Sequence, residues 1–342
     1  MSEPLPVPGV ARRPSVVRNW LHVLRTTNPP EGHVDPVSRW LVLTRASVLP
    51  MTLTVAAIAG FLAVYDDVPV RWWLFTLATV GLVLAHVANN LMNDLFDLEI
   101  GADSETYPRA LYAPHPVLSG MISKRGLLVA ALVVNVADLA ILVTLGIARG
   151  WPVVAFALGG FLLSVAYTAP PLRLKKHGLG EPTVLVVWGP LMVGGTYYAA
   201  VGEITWGLVA ASIPYALLCT TVLMGKHIDK IPWDEPAGTR TLPVILGPDR
   251  ARTLTRVMMV SFYPLVAVLV ATRTFPVAAL IVVLALPKLV SVWGPLSRPK
   301  PDEPPAGFPI WPLWYAAFAF LHTRRAGGLL VLGLAVGALV GW

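Results

Sequence analysis

Asn90, Asn93, Asp94 and Asp97 close a long uncharged run at spacings of three and four residues. Residues so spaced share one face of a helix. Two carboxylates and two amides therefore form an oxygen-rich wall, with Asp103 a short way beyond. Hard oxygen donors at that density suit Mg2+, which takes a few carboxylates and completes its octahedron with substrate phosphates. Acids at the C-terminal end of a helix also oppose its macrodipole, so helix stability does not explain them.

A second cluster, Lys226-His227-Ile228-Asp229-Lys230-Ile231-Pro232-Trp233-Asp234, ends another uncharged run. Asp229 and Asp234 are five apart, which is poor for one helical face, and Pro232 predicts a break between them. Two acidic segments facing each other would hold two Mg2+ ions with a diphosphate between them. His227 reads first as a satisfied interfacial histidine and second as a base. A third segment, from Tyr167 to Glu181, carries Arg173, Lys175 and Lys176. Cations beside an acidic metal site steer an anionic ligand and neutralise a leaving diphosphate.

The elements that position these clusters follow from composition. Of 342 residues, 56% are hydrophobic and 13% charged, with a mean hydropathy of +0.67. A soluble domain carries about 25% charged residues, so the chain reads as a polytopic membrane protein. Windows free of charge and long enough to span, about 20 residues, fall at 46–65, 72–93, 150–168, 182–202, 204–225 and 326–342. Three more, at 126–148, 257–272 and 274–297, are less clean, which makes nine candidate spans. The Trp-rich stretch 308–322 reads as an interfacial helix. One cysteine, Cys219, excludes a disulfide framework and multi-cysteine metal sites.

Orientation follows from the basic residues. All but Arg71, Arg149 and Arg273 of the 26 Lys and Arg fall on the side of the N-terminus and of the three clusters. The N-terminus and the polar loops are therefore expected in the cytoplasm, in a cell inner membrane. The net charge of +7 is orientation charge, and no nucleic-acid partner is needed to explain it. Residues 1–38 read as a polar cytoplasmic tail without a secretory signal, with an interfacial helix as the alternative. Asn135 and Asp138 form a polar pair within the third span, open to either a functional role or an interhelical hydrogen bond.

At these clusters the sequence resembles the UbiA superfamily of intramembrane prenyltransferases. Asn93-Asp94 with Asp97 matches its first aspartate motif. His115-Pro116-Val117-Leu118-Ser119-Gly120 resembles the element that follows, with His115 in place of the usual Arg. Asp229 to Asp234, followed by Gly238-Thr239-Arg240-Thr241-Leu242-Pro243, looks like the second motif, at an interval one residue longer than usual. The menaquinone-branch dihydroxynaphthoate polyprenyltransferases look closest, on Gly101-Ala102-Asp103, Gly178-Leu179-Gly180-Glu181, Gly189-Pro190 and Gly195-Thr196-Tyr197-Tyr198. That branch tends to have Asn-Asn where this chain has Lys226-His227.

The resemblance implies an all-α bundle of nine transmembrane helices around a cavity with a cytoplasmic polar cap, spanning 39–342. It implies transfer of a polyprenyl group from its diphosphate to an aromatic acceptor, a dihydroxynaphthoate- or hydroxybenzoate-like ring, in the bilayer. The catalytic acids would be Asp94, Asp97, Asp229 and Asp234. Those four with Asn90 and Asp103 would hold Mg2+, as two ions. Asn90, Asn93, Arg109, Arg173, Lys175, Lys226 and Arg240 would face the diphosphate, and Tyr167 and His227 the acceptor. A membrane terpene cyclase would use the same diphosphate chemistry without an acceptor. An ion-coupled carrier would more naturally show inverted halves with helices broken at mid-membrane.

Overall fold

The computed structural model describes residues 15–30, 32, 34–99, 115–308 and 310–340. Two short helices lead in: α1 (Val16–Thr26) lies inside the segment 1–38 read as a tail, and α2 (Pro36–Leu43) crosses its end. Asp35 caps α2, accepting from the amides of Val37 and Ser38, and also takes the Trp20 indole N–H at 3.0 Å. A 3-10 turn from Ala46 to Val48 then opens α3 (Leu49–Tyr65).

The remaining long helices are α4 (Trp72–Glu99), α5 (Lys124–Arg149), α6 (Trp151–Thr168), α7 (Gly180–Val201) and α8 (Trp206–Asp234). After the short α9 (Leu242–Leu246) come α10 (Pro248–Ala271), α11 (Val277–Ser297) and α12 (Trp314–Val340). Among the described residues, nine helices are long and apolar enough to cross a membrane, in an all-α integral membrane fold. Local signals set their starts. Ser123 and Thr205 cap α5 and α8 through their hydroxyls, and Pro occupies the first turn of α3, α6 and α10, where its missing N–H costs nothing.

Two sequence expectations change. The last span runs unbroken from Trp314 to Val340, so 314–322 is its first third and not a separate interfacial helix. The chain tolerates Arg324 and Arg325 there because both lie on the exposed face, with Arg324 over the Phe320 ring at 5.6 Å, and long basic side chains can reach a nearby interface. Nor does α8 break at Pro232: the helix continues to Asp234. Asn135 bonds the Ala131 carbonyl of its own helix at 2.8 Å, not a neighbour.

The largest core joins α3, α7, α8, α10, α11 and α12 around Ile58, Tyr215, Leu218, Phe262, Phe275 and Leu330. A second cluster, with Met224, Ile228, Met259, Leu296 and Tyr315, packs the polar ends of α8, α10, α11 and α12. Leu43, Val87, Leu91, Leu95 and Leu127 tie α2, α4 and α5 together. Close approach is built in by small residues. A Cβ on Gly225 would lie 2.6 Å from the Tyr315 carbonyl carbon and the Ala316 nitrogen, so α8 touches the start of α12 backbone to backbone. Pro190 inside α7 removes one donor, and the helix widens there into a π turn at Val187–Leu191, which sets Trp188 edge-on to His86 at 5.5 Å.

Candidate active site

The polar ends of the helices meet at one end of the bundle. On α4 each polar side chain of the first cluster has a fixed neighbour. Asn90 is buried and donates its amide N–H to the Thr44 carbonyl at 3.1 Å, which leaves its oxygen to accept a hydrogen bond or coordinate a cation. Asn93 Oδ1 accepts from the Thr168 hydroxyl at 3.4 Å, and Asn89 Oδ1 from Ser164 at 2.7 Å. Asp94 has no exposed surface, and Arg45 Nη2 donates to its Oδ1 at 2.5 Å. His115 Nε2 donates to the Asp94 carbonyl at 3.0 Å, and its Nδ1 accepts from the Val117 amide. The residue standing in for the usual Arg therefore anchors the returning chain to the motif. The backbone of Asp97 continues α4; its side chain, and all of Asp103 and Arg109, lie outside the described residues.

On α8 the second cluster divides by face. His227 is buried and its Nδ1 lies 2.7 Å from Glu181 Oε1 at the start of α7. Asp229 is buried and accepts from the Tyr315 amide at 3.1 Å and the Ala316 amide at 2.9 Å, one per carboxylate oxygen. It thus caps the N-terminus of α12 from another helix, where a negative charge also meets the positive end of the dipole. Lys300 Nζ stands 4.0 Å from the same carboxylate and over the Trp311 ring at 5.2 Å. Burial pulls the Lys300 ammonium below its usual range, and Asp229 pulls it back up. Asp234 is buried on a different face, because five residues on an unbroken helix turn about 140°. Lys226, Lys230 and Asp234, four apart, share that other face.

The basic segment joins the two walls. It begins at Thr168, which bonds Asn93, and folds through Arg173 at φ +41° into a 3-10 turn at Leu174–Lys176. The Lys176 carbonyl then accepts from the Arg240 amide at 3.2 Å, and His177 pairs with Arg240. The side chains of Arg173 and Lys175 are half-buried there, whereas that of Arg240 is exposed. The Tyr167 ring lies over Gly180. Residues 168–177 thus touch the first motif at one end and the tail of the second at the other. Sequence reasoning missed Arg45, which reads as orientation charge, and Glu181, whose partner His227 lies 46 residues away.

A cavity of about 530 Å³ opens at the opposite end of the bundle, between Val64–Asp67, Arg273 and Gly337–Ala338. No residue of the three clusters lines it. Among the described residues no three His, Cys, Asp or Glu side chains gather as a metal cluster, so a metal here would need Asp97 or the substrate's own oxygens.

Among the described residues, nine apolar helices, acid-bearing ends on α4 and α8 and a basic strap between them define an integral membrane protein with its polar clusters gathered at one end of the bundle. The sequence profile of the UbiA prenyltransferase family matches residues 53–321, and the chain belongs to that family, as a prenyltransferase. It is 25% identical over 270 residues to a 2-carboxy-1,4-naphthoquinone phytyltransferase of Synechocystis sp., covering 78% of this chain and 85% of that one. It is 27% identical over 263 residues to a 1,4-dihydroxy-2-naphthoate octaprenyltransferase of Mycobacterium tuberculosis, covering 76% and 86%. A digeranylgeranylglyceryl phosphate synthase of Natronomonas pharaonis is 34% identical, over 51% of this chain and 57% of that protein. The fold is similar to that of a UbiA homolog from Archaeoglobus fulgidus bound to GPP and Mg2+, with a TM-score of 0.53 at 16% identity, covering 85% of this chain and 99% of that one.

Proposed function

We propose that the chain transfers a polyprenyl group from its diphosphate to an aromatic, quinone-precursor acceptor at the cytoplasmic membrane face. The observation that carries this reading is the strap 168–177, which bonds Asn93 of the first motif through Thr168 and Arg240 in the tail of the second through the Lys176 carbonyl, and which carries Arg173, Lys175 and Lys176. The acceptor class rests on the naphthoquinone and dihydroxynaphthoate relatives, each covered over most of its length.

The donor set on α4 fits Mg2+. Among the described residues it is all oxygen, with Asp94 and the amide oxygen of Asn90 one turn apart on α4, and the sequence adds the carboxylate of Asp97. Bound Mg2+ would stabilise charge on the departing diphosphate. The chain's own contribution is positional: Arg45 and His115 fix Asp94, and the strap's cations would offset the charge that grows on the diphosphate. Tyr167 beside the strap offers a ring and a hydroxyl to a phenolic acceptor. The apolar helices let the prenyl tail stay in the bilayer.

The test supplies labelled prenyl diphosphate with and without hydroxybenzoate and dihydroxynaphthoate acceptors, and resolves the lipid products. Label on the aromatic ring is the expected result. Label on a glycerophosphate would replace the acceptor, and an acceptor-independent cyclic hydrocarbon would replace transfer with cyclisation. Cysteine labelling at position 237, on a Cys219→Ala background, checks the orientation; modification only from the outer face would reverse it.

A further inference from the structure

The second motif lacks the arrangement that a second metal requires. Asp229 spends one oxygen on the Tyr315 amide and the other on the Ala316 amide. Gly225, one turn earlier, brings those amides into contact with α8, so the cap is fixed by backbone packing and not by a movable side chain. On the unbroken helix Asp229 points about 140° away from Asp234. The position one turn before Asp234, which shares its face, holds Lys230, and the turn before that holds Lys226. Both lysines are half-buried, and Asp234 is buried. Along that face the order is cation, cation, acid, where a metal pair would need acid and acid.

We propose that this chain binds its prenyl diphosphate with one metal ion, held by the α4 motif, and that Lys226 and Lys230 take the place of a second ion on α8. The proposal rests on the prenyl-diphosphate reading above. Charge accounts for the exchange: two ammonium groups carry the charge of one divalent cation, so the diphosphate meets the same neutralising charge. Ammonium groups differ in being bound to the chain and in needing no carboxylate ligands. Asp234 then sits four residues from Lys230, at the spacing of a helical ion pair, and orients its ammonium as a positioning residue. Asp229 has a separate task, that of joining α8 to α12.

The test counts metal ions on the purified full chain in lipid nanodiscs, by Mn2+ electron paramagnetic resonance. The probe is geranyl S-thiolodiphosphate, which resists ionisation. Wild-type chain is expected to retain one Mn2+ per bound analogue. Asp229→Asn should retain one as well, because it removes no ligand. Lys230→Asp should gain a second ion by placing an acid one turn from Asp234. Without metal, Lys226→Ala and Lys230→Ala should each weaken analogue binding at least fivefold, a loss that a purely structural lysine would not give. Two ions on wild type, or loss of an ion in Asp229→Asn, would overturn the proposal while leaving the donor class intact. Failure of the wild type to bind the analogue at all would overturn both.

Discussion

Arg45 grips Asp94 across the start of α3, guanidinium to carboxylate at 2.5 Å, from a backbone held at φ +53°. A non-glycine residue rarely adopts that conformation. The turn that imposes it aims the side chain at α4, and the partner acid has no exposed surface. Removing one member of a buried pair leaves the other charge uncompensated, at about 3–5 kcal/mol. Arg45→Ala is therefore expected to lower the thermal midpoint in detergent and to abolish turnover. Arg45→Lys, which keeps the charge but not the fork, should keep most of the stability and lose most of the rate. Equal loss of both in the lysine variant would make Arg45 structural only.

The link between Asp229 and the start of α12 predicts a stability defect where a motif aspartate would give a rate defect. Asp229→Ala leaves two buried amides without acceptors, each at about 1–3 kcal/mol. Gly225→Ala forces the same two backbones apart and costs about 1–3 kcal/mol by overpacking. Because both act on one contact, the double variant should be less destabilised than the sum. Asp97→Asn should instead fold normally and lose activity at least a hundredfold. Thermal unfolding read beside turnover separates the two classes, and a stable, inactive Asp229→Ala would return that residue to the metal.

His227 and Glu181 form a buried pair at 2.7 Å. Among the described residues Glu181 Oε2 has no hydrogen-bond partner, so the histidine is what holds this carboxyl in place. His227→Ala is expected to destabilise by about 3 kcal/mol. His227→Gln, which can still donate, should fold. If the pair faces the acceptor, that variant raises KM for the aromatic substrate and leaves KM for the prenyl diphosphate unchanged. A change confined to the donor's KM would move His227 to the diphosphate side.

The helix that carries Asn90, Asn93 and Asp94 was legible in the sequence because an apolar run says where the helix is, and spacings of three and four give those residues one face. The nine spans were legible for the same reason, apart from their ends. Asp229 was not, since its partners are backbone amides 86 and 87 residues away, and any residue but proline at 315 or 316 would present the same N–H. Pro232 misled because a proline costs a helix one bond to the carbonyl four residues back without having to end it, and α8 runs on for two residues. Arg45 was hidden among the many basic residues that set orientation. Only the fold shows that its side chain turns inward to Asp94.

The last prediction concerns the helices that lead to Arg45. Asp35 takes hydrogen bonds from the Ser38 hydroxyl and amide, the Trp20 indole and the Val37 amide, and these hold its carboxyl well below the usual range, the Ser38 hydroxyl foremost. A folded pKa below the unfolded value of about 3.9 means that this contribution is complete above that value and lost as pH falls through the folded one. Physiological pH therefore leaves α1 and α2 fully pinned, and substitution must do what acid would. Asp35→Ala removes the cap of α2 and the tie to Trp20 together. The same pair of helices is held to the Arg45 turn by Thr27 Oγ1 against Ser47 Oγ at 2.5 Å, so loosening them frees the turn that aims Arg45. The expected outcome is faster proteolysis between α1 and α2 and a several-fold drop in kcat, with KM for the acceptor unchanged. Asp35→Asn, which still accepts at the cap, should recover most of both. Unaltered proteolysis and turnover in Asp35→Ala would detach the N-terminal helices from the active site.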